Sequence, residues 1–505
     1  MFVRKKKNKS GVISIQIIDK SSGKYKVVKT IGSSADTSTI ENLFKQAHHY
    51  IPILTGQSQL NFNAQGEDAF VASVFESIED VKLAGPELVL GKIFDAIGFN
   101  AIKDELFRHL VITRLVYPVS KLKTIDYLYK YKGIFIEKDK IYRYLDKLNN
   151  KHKEQIQNIS YEHTLAVLQN KIAVVFYDVT TLYFEIEDED DLRKTGFSKD
   201  GKHQHPQILL GLLVSAGGYP LAYEIFEGNK FEGHTMLPVI EIFKHKYKLK
   251  KLVVVADAGL LSNDNIQELE SKKYEYILGA RIKNESNIIK KNILSLTLNN
   301  GESTIIEKDE HTKIIISYSS NRSAKDKHNR EKGLQKLERT IASGKLTKKN
   351  INNRGYNKYL KLEGDVTVKI DYQKYKADAS WDGLKGYITN TTLTKDEVIE
   401  SYQQLWMIEK AFRISKTDLR IRPIYHRLKH RIQAHICVAF CAYKIHKELE
   451  RQLKEKKSNL SPEKVIDILK TINAVTIKTP YSENKVTKLL LKNDEQKDLI
   501  KMFET

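Results

Sequence analysis

The chain has 505 residues and a formal net charge of +21, with 84 Lys and Arg against 63 Asp and Glu. This length allows roughly two to four domains with at least one large core. The charge favours a polyanionic partner, with nucleic acid ahead of an anionic membrane surface. No run of about 18 apolar residues is present and no apolar run follows the basic start, so we expect neither a membrane span nor a signal peptide. The two cysteines, Cys437 and Cys441, lie in an apolar helical pattern and are predicted to be core thiols in a reducing, cytoplasmic compartment.

Residues 1–60 are predicted to form a basic β-hairpin followed by a helix. The runs GVISIQII and KYKVVKTIG are strand-like and are joined by DKSSGK, whose Ser and Gly favour a turn. A helix is predicted over 38–52, with Ser38 or Thr39 as its N-cap. Because residues 1–30 contain nine Lys or Arg and one acid, this region is expected to face an anion.

Residues 61–170 are predicted to be helical and to bind DNA. One helix ends near Gly98, the next stops at Tyr117-Pro118, and two more follow in VSKLKTIDYLYKYKG and KIYRYLDKLNNKHKEQIQNI. Their Lys and Arg side chains are predicted to be exposed.

Residues 171–283 have the pattern of an α/β domain. Three strand-like runs are followed by a helix, a strand, a helix and a strand, and continuous apolar runs such as LVVVA are typical of a sheet covered on both faces. Asp178 lies in the first strand and Asp257 ends the later buried strand.

Residues 284–386 interrupt this pattern and are predicted to be a β-rich insertion. Its basic arm, 321–360, has twelve Lys or Arg against three acids. The α/β pattern resumes over 387–440, and 441–505 is predicted to be a C-terminal helical region.

The stretch YQQLWMIEKAFRISK, 402–416, is predicted to be one amphipathic helix. Residues that recur at three- and four-residue steps share a face, and here these are Tyr402, Leu405, Glu409, Phe412 or Arg413, and Lys416. A carboxylate flanked by cations suits a site that holds both a metal and a phosphate. The alternative is that these charges form only surface i,i+4 pairs, which is the usual role of such residues.

Asp178, Asp257 and Glu409 are the candidate catalytic acids. An Asp within VVFYDV or VVVADA is costly unless it is paired or bound to a metal. Three carboxylates suit two Mg²⁺ ions that promote in-line displacement at phosphorus. For either Asp alone, a polar strand end at an α/β crevice explains the residue equally well.

Several histidines are weaker candidates. His203 and His205 form an HxH pair without further zinc-ligand spacing, so a surface or substrate contact is favoured over a metal site. His234 is interpreted as structural, for example as a helix cap, and a DNA contact is the alternative. Three further histidines are interpreted as structural or phosphate-facing: His426, His430 and His435.

With these motifs, the sequence resembles the DDE transposases of bacterial insertion sequences, in the subgroup with a β-strand insertion between the second Asp and the Glu. The final signature of that family is Tyr, two residues, Arg, three residues, Glu, six residues, Lys, and it maps onto Tyr402, Glu409 and Lys416. Leu405 replaces the Arg, which removes one phosphate contact that Lys410 or Arg413 would have to replace. The segments 196–229 and 422–436 also resemble the family, and the resemblance covers roughly 171–440.

The resemblance implies a multidomain α/β protein with a ribonuclease-H-like mixed sheet, flanking helices, the β-rich insertion, and a preceding β-hairpin and helical domain. It implies that Asp178, Asp257 and Glu409 hold two Mg²⁺ ions, for which Mn²⁺ can substitute, and that Tyr402, Arg413 and Lys416 contact DNA phosphates. These residues would cut DNA at terminal inverted repeats and join the ends to target DNA.

The same resemblance also implies a role for Trp381, a set of partners and a compartment. Trp381, in the insertion, would stack on a flipped base unless it only packs against the sheet. The implied partners are the element ends, target DNA and a second copy of the chain in a synaptic homodimer, and no membrane is expected as a partner. The implied location is the bacterial cytoplasm, at the nucleoid. The alternatives are a catalytically inactive DNA-binding protein derived from a transposase and a metal-dependent nuclease without strand transfer.

Overall fold

The structure is a computed structural model that describes residues 1–55, 64–186, 188–197, 201, 204–249, 252–260, 262–344, 351–352, 355–363, 367–478 and 484–504. The chain divides into two compact units. The first comprises Met1–Asp80 with Val475–Lys488, and the second comprises Val81–Ala474 with Leu489–Thr505. No helix in the described ranges combines the length and the apolar character that crossing a bilayer requires.

The first unit contains a three-stranded antiparallel sheet and two helices. Its elements are β1 (Phe2–Lys7), β2 (Ile13–Asp19), β3 (Lys26–Ser34), α1 (Thr37–Leu54) and α2 (Ala64–Glu76). The predicted hairpin is β2 and β3, and β1 adds a third strand at the open edge of β2. The sequence FVRKKK has no alternating apolar pattern to reveal a strand, and lysines are typical of an edge strand because they discourage further pairing. Asp36, rather than the predicted Ser38 or Thr39, caps α1 by accepting the amide N–H of Thr39.

The second unit opens with helices. A short π-helical turn leads into α3 (Lys92–Ile97), α4 (Glu105–Val116), α5 (Lys121–Lys132) and α6 (Lys138–Val167). Gly98 and Gly133 end α3 and α5 in the left-handed conformation, which glycine adopts at low cost. The prediction that the Lys and Arg of this region are exposed is wrong for Arg114 and Lys121, which are buried.

Eight strands form one large mixed sheet, confirming the predicted multidomain α/β class. Its strands are β5 (Val174–Tyr183), β6 (Gln207–Ser215), β7 (Pro220–Glu227), β8 (Val253–Ala256), β9 (Glu275–Ala280), β10 (Ser303–Glu307), β11 (Lys313–Tyr318) and β14 (Leu384–Thr389). The order is β10–β11–β14–β9–β8–β5–β6–β7, with β8 parallel to β5 and β9 and the remaining pairs antiparallel.

The sheet separates two hydrophobic cores. Alternate residues of β5 belong to opposite cores, with Phe176 and Leu182 on one side and Val175, Tyr177 and Val179 on the other. Burial on both faces explains why these strands are continuous apolar runs. The strands are covered by α7 (Met236–Tyr247), α8 (Asn263–Ser271), α9 (Asn287–Leu294), α12 (Lys395–Gln403), α13 (Trp406–Thr417) and α14 (Lys429–Glu455). Cys437 and Cys441 are buried, free thiols in α14.

The insertion adds strands to the large sheet and also contains helices. Strand β10 pairs with β11, and β11 pairs with β14, which itself pairs with β9, so β10 and β11 extend the sheet beyond β14. Its remaining elements are α10 (Ser320–Ala342), β12 (Leu360–Glu363), β13 (Thr367–Ile370) and α11 (Tyr372–Asp378). Much of the predicted basic arm is thus the 23-residue helix α10, which Ser319 caps. Its Lys, Arg, Glu and Leu residues have high helix propensity, which the charge count alone does not reveal.

The C-terminal region contains α15 (Pro462–Leu469), β15 (Asn473–Lys478), β16 (Lys485–Leu490) and α16 (Asp494–Glu504). A small sheet has the order β16–β15–β4, where β4 is Ile78–Leu83. Helix α14 runs through the predicted boundary at residue 440 without a break.

Candidate active site

Asp178 and Asp257 occupy equivalent positions on two neighbouring strands. Tyr177 of β5 pairs with Ala256 of β8 in parallel register, so the residues that follow them, Asp178 and Asp257, lie side by side. Parallel strands are about 4.8 Å apart. Asp178 also shares a sheet face with Phe176, because side chains alternate along a strand. Both carboxylates therefore lie at the carboxyl end of β8 on the face that α12 and α13 cover.

Glu409 reaches the same cleft from the first turn of α13. It lines the cleft together with Asp178 and Asp257, although 79 and 152 residues separate the three positions along the chain. The volume of the cleft is about 520 Å³. The structure thus brings together the three acids that were predicted from the sequence.

The prediction of one continuous helix over 402–416 is wrong. Helix α12 ends at Gln403 and α13 begins at Trp406. Between them the amide of Leu405 bonds to the carbonyl of Tyr402 at 3.1 Å, an i to i−3 contact that tightens the turn. Neither Pro nor Gly lies at this point, so the sequence carries no signal for the break. Tyr402 and Glu409 nevertheless face the same cleft.

The hydroxyl of Tyr402 donates a hydrogen bond to Asp257 Oδ1 at 3.1 Å. Burial raises the pKa of Tyr402, and the neighbouring Asp257 carboxylate raises it further, so the phenol stays protonated as a donor. Asp257 Oδ1 also accepts the amide N–H of Ala258 at 2.7 Å. Two donors therefore hold one oxygen of Asp257 in place.

Gly279, on β9, makes room for the Tyr402 side chain. A Cβ atom at this position would lie 2.4 Å from the Tyr402 hydroxyl oxygen and 3.0 Å from the amide nitrogen of Ala258. The absence of a side chain at residue 279 is thus required for Tyr402 to approach Asp257.

Two cations from the insertion, Arg322 and Lys385, also line the cleft. Burial is the largest influence on the Lys385 pKa and, with the nearby Arg322, lowers it, although the carboxylates of Asp257 and Glu409 act in the opposite direction. The ammonium nitrogen lies 4.5 Å from the centre of the Tyr402 ring. Neither cation was predicted from the sequence, because Arg322 lies in a run of many cations and Lys385 in a strand-like run, and no motif distinguishes either of them.

The donor chemistry of the cleft fits a hard divalent cation. Three carboxylates offer the oxygen ligands that Mg²⁺ and Mn²⁺ prefer. Among the described residues, however, no three Asp, Glu, His or Cys side chains are already arranged as a metal site. The Lys385 ammonium interacts with two of these acids. The acids would therefore have to approach one another more closely to share an ion.

The other predicted DNA contacts lie outside the lining of this cleft. Arg413 is exposed one turn beyond Glu409, and Lys416 is half-buried one turn further on. Lys410, the other candidate to replace the missing Arg, forms an ion pair with Glu450. Leu405, at the Arg position, is buried and lines the cleft with an apolar side chain.

Trp381 lies in an adjoining cavity of about 660 Å³. The two cavities share Arg322 and Lys385 as lining residues. Trp381 is half-buried, and the ammonium nitrogen of Lys283 lies 6.0 Å from the centre of its ring. Trp381 also packs against the hydrophobic core on one face of the large sheet.

The histidines have the following contacts. A ring nitrogen of His205 lies 3.2 Å from the Phe184 carbonyl oxygen, whereas His203 lies outside the described residues. His234 packs edge-on against Phe231 just before α7. His430 contacts Asp146 at 2.8 Å. The remaining two, His426 and His435, line a different cavity, between α5 and the segment that follows α13.

Comparison with known proteins gives one match over more than half of the chain. A protein-family model described as "Transposase DDE domain" matches residues 169–445, which include the three acids of the cleft. No curated protein matches the chain.

Similar solved structures include a cryo-EM structure of a piggyBac transposase synaptic complex with hairpin DNA. It is 8% identical, with 76% of each chain covered and a TM-score of 0.38. A Mos1 transposase paired-end complex with the left transposon end is 12% identical, with 46% of this chain and 71% of that chain covered and a TM-score of 0.16.

Proposed function

Since the chain belongs to the transposase DDE domain family, we propose that it is the DNA transposase of an insertion sequence, which cuts DNA at the terminal inverted repeats of its element and joins the freed ends to target DNA. The observation that carries the proposal is the convergence of Asp178, Asp257 and Glu409 on one cleft within the matched residues.

In this proposal the three acids bind two divalent cations, Mg²⁺ or Mn²⁺. Such ions, when bound, make water a better nucleophile and stabilise charge on the leaving oxygen. Water attacks phosphorus, the bond to the 3′ oxygen breaks, and the strand leaves with a 3′-OH and a 5′-phosphate on its neighbour. The 3′-OH then attacks a phosphodiester of the target by the same in-line displacement.

The protein side chains of the cleft position the reacting groups. Tyr402 orients Asp257 through the hydrogen bond between its hydroxyl and Oδ1. Arg322 and Lys385 hold the phosphodiester that is being cut, a role that the apolar Leu405 cannot fill. Fixed cations near a phosphoryl group stabilise charge in the transition state without reorganisation.

Further contacts with the DNA are proposed outside the cleft. Arg413 and Lys416, which follow Glu409 on α13, contact the DNA backbone near the cut. Trp381 stacks on an unpaired base in the adjoining cavity. The exposed β3 strand and the Lys5–Lys7 run of β1 support DNA binding by the first unit. Synapsis of two element ends requires a homodimer on DNA.

The test is cleavage and joining of a labelled duplex that carries the end of the element, with Mg²⁺ or Mn²⁺. Glu409→Gln should lower the cleavage rate by at least about 100-fold, the scale expected when a group that stabilises the transition state is removed. It should bind DNA as well as wild type does. The matched control is Glu400→Gln, on the exposed side of the neighbouring helix α12, which should retain wild-type activity.

Other results would select a different function. Binding without cleavage by wild type identifies an inactive DNA-binding protein. Cleavage without joining of a pre-cut 3′-OH end identifies a nuclease. Equal cleavage by wild type and Glu409→Gln removes Glu409 from the site.

A further inference from the structure

The cavity that His426 and His435 line has a volume of about 570 Å³ and lies between the start of α5 and the segment that follows α13. The two walls come from parts of the chain that are about 300 residues apart. The lining residues that matter most are Arg114, Ser120, Lys121, Arg420, Tyr425 and His435. None of the lining residues belongs to the cleft that contains the three acids.

The charge of this cavity is one-sided. Among the residues that the structure describes, five Lys or Arg line it and no Asp or Glu does: the five are Arg114, Lys121, Lys123, Arg420 and Arg422. Cations on a protein surface are normally interspersed with acids, because like charges in proximity repel one another. A concave lining whose charged side chains are all cations is therefore the electrostatic complement of an anion.

Two of these cations are buried without a carboxylate partner. Arg114 and Lys121 each retain only 4% of their exposed area. Among the described residues, Lys121 has no hydrogen-bond or ion-pair partner, and Arg114 donates only to the Leu419 carbonyl oxygen at 3.5 Å. The buried Lys444, in contrast, donates to the Ser160 carbonyl oxygen at 2.9 Å. A buried charge without a partner is unfavourable because it has lost its hydration, and a bound anion would offset that loss.

The positive charge of the cavity also shifts the pKa values of its titratable groups. Burial, followed by the charge of Arg114, holds the pKa of Lys121 well below its ordinary value. Burial and the nearby Lys121 and Arg114 also lower the pKa of His426 to about 4. No carboxylate is among the causes of either shift in the described part of the chain. Without a bound anion, the protonated forms of Lys121 and His426 are therefore destabilised.

The N-terminus of α5 points its partial positive charge at the same region. Ser120 caps this 12-residue helix and its side chain accepts the amide N–H of Lys123 at 3.3 Å. The first amide N–H groups of a helix have no intrahelical acceptor, and they favour an anion together with the helix dipole.

We propose that this cavity binds a phosphate group, presented by a nucleic-acid strand or by a free nucleotide. Phosphate oxygens accept charge-assisted hydrogen bonds from guanidinium, ammonium and helix N-terminal N–H groups at the same time. The volume lies in the range of ligand pockets, about 300–1,000 Å³, and leaves room for an attached sugar. Tyr425, which is 71% exposed, offers a ring at the lining on which a base stacks. The site is independent of the cleavage chemistry proposed above.

Phosphate binding is tested with inorganic phosphate at constant ionic strength, by thermal denaturation and calorimetry. Wild type should gain melting temperature saturably, because the ligand binds the folded state. Lys121→Met should bind phosphate at least tenfold more weakly and, without phosphate, should melt at or above the wild-type temperature, because an unpaired buried charge has been removed. Lys130→Met, on the exposed part of the same helix, is the matched control and should respond like wild type.

A second variant protects the test against a folding defect. Arg420 is exposed, so Arg420→Gln is expected to fold normally and still to weaken phosphate binding severalfold. The proposal is overturned if wild type does not respond to phosphate, or if Lys121→Met and Arg420→Gln both respond as wild type does.

The source of the phosphate is identified with labelled duplexes and a nucleoside monophosphate. If a 5′-phosphate strengthens duplex binding by wild type but not by Lys121→Met, the site takes a strand end. If the 5′ group has no effect and Lys121→Met lowers the slope of log affinity against log salt by about 0.9, the site takes an internal phosphodiester. If only monophosphate binding differs between the two proteins, the site takes a free nucleotide. A variant that matches wild type for all three ligands refutes the proposal.

Discussion

Replacing Tyr402 by Phe removes one oxygen atom and with it the hydrogen bond to Asp257 Oδ1 at 3.1 Å. The ring keeps its edge-on contact with Tyr387, whose centre lies 4.9 Å away, so packing is preserved. A hydrogen bond to a charged group contributes about 1.5–3 kcal/mol. If the whole of this energy is lost from the stabilisation of the transition state, the cleavage rate should fall roughly 10- to 100-fold, because about 1.4 kcal/mol of activation free energy corresponds to a factor of ten.

The assay for Tyr402→Phe is the single-turnover cleavage rate of a labelled element end at saturating protein and Mg²⁺. The matched control is Tyr387→Phe, which removes a second buried hydroxyl close by; that hydroxyl interacts with Ser317. The control should cleave within about threefold of wild type and should bind DNA equally well. A wild-type rate for Tyr402→Phe, or an equal loss in both variants, would refute the idea that this phenol positions Asp257.

Three further predictions concern the same unit. Gly279→Ala places a methyl group 2.4 Å from the Tyr402 hydroxyl oxygen, so it should lower the free energy of unfolding by about 1–3 kcal/mol and slow cleavage. Denaturation and cleavage assays measure the two effects, and an unchanged cleavage rate would contradict the prediction. Lys385→Met should reduce the salt dependence of DNA binding by about 0.9 in log–log slope, measured by anisotropy titration, and an unchanged slope would remove Lys385 from the DNA contacts. Burial, followed by the charge of Lys444, lowers the pKa of His163 from 6.5 to about 4. The unfolded chain therefore binds an extra proton in this window, and stability falls as the pH drops from 6.5 towards 4. His163→Gln should flatten that fall by up to about 1.4 kcal/mol per pH unit, and denaturant midpoints that change with pH as in wild type would be inconsistent with a neutral His163.

Local signals in the sequence were sufficient for most elements that surround the candidate active site. Apolar runs predicted the buried strands on either side of Asp178 and Asp257, and Gly98 ended its helix where expected. A carboxylate inside such a run is conspicuous, because burial makes it costly. For that reason the two aspartates could be identified from the sequence alone.

Contacts between distant segments were not predictable in the same way. The break between α12 and α13 contains no Pro or Gly from which it could be predicted. Strands β10 and β11 extend the large sheet, although the pattern of the insertion showed only that strands were present. Arg322 and Lys385 both line the acid-lined cleft, although no motif in the sequence distinguishes either residue.

The sequence by itself determined the class of the fold, the three acids and the basic character of the protein, because apolar periodicity and the cost of buried charge act locally along the chain. Only the tertiary structure decided which charged residues face which cavity. Lys121 and Lys130 lie on the same helix and differ in sequence context by little, yet one is buried in a cationic cavity and the other is exposed. That difference depends on the segment after α13, about 300 residues away, which closes over one end of the helix and not over the other.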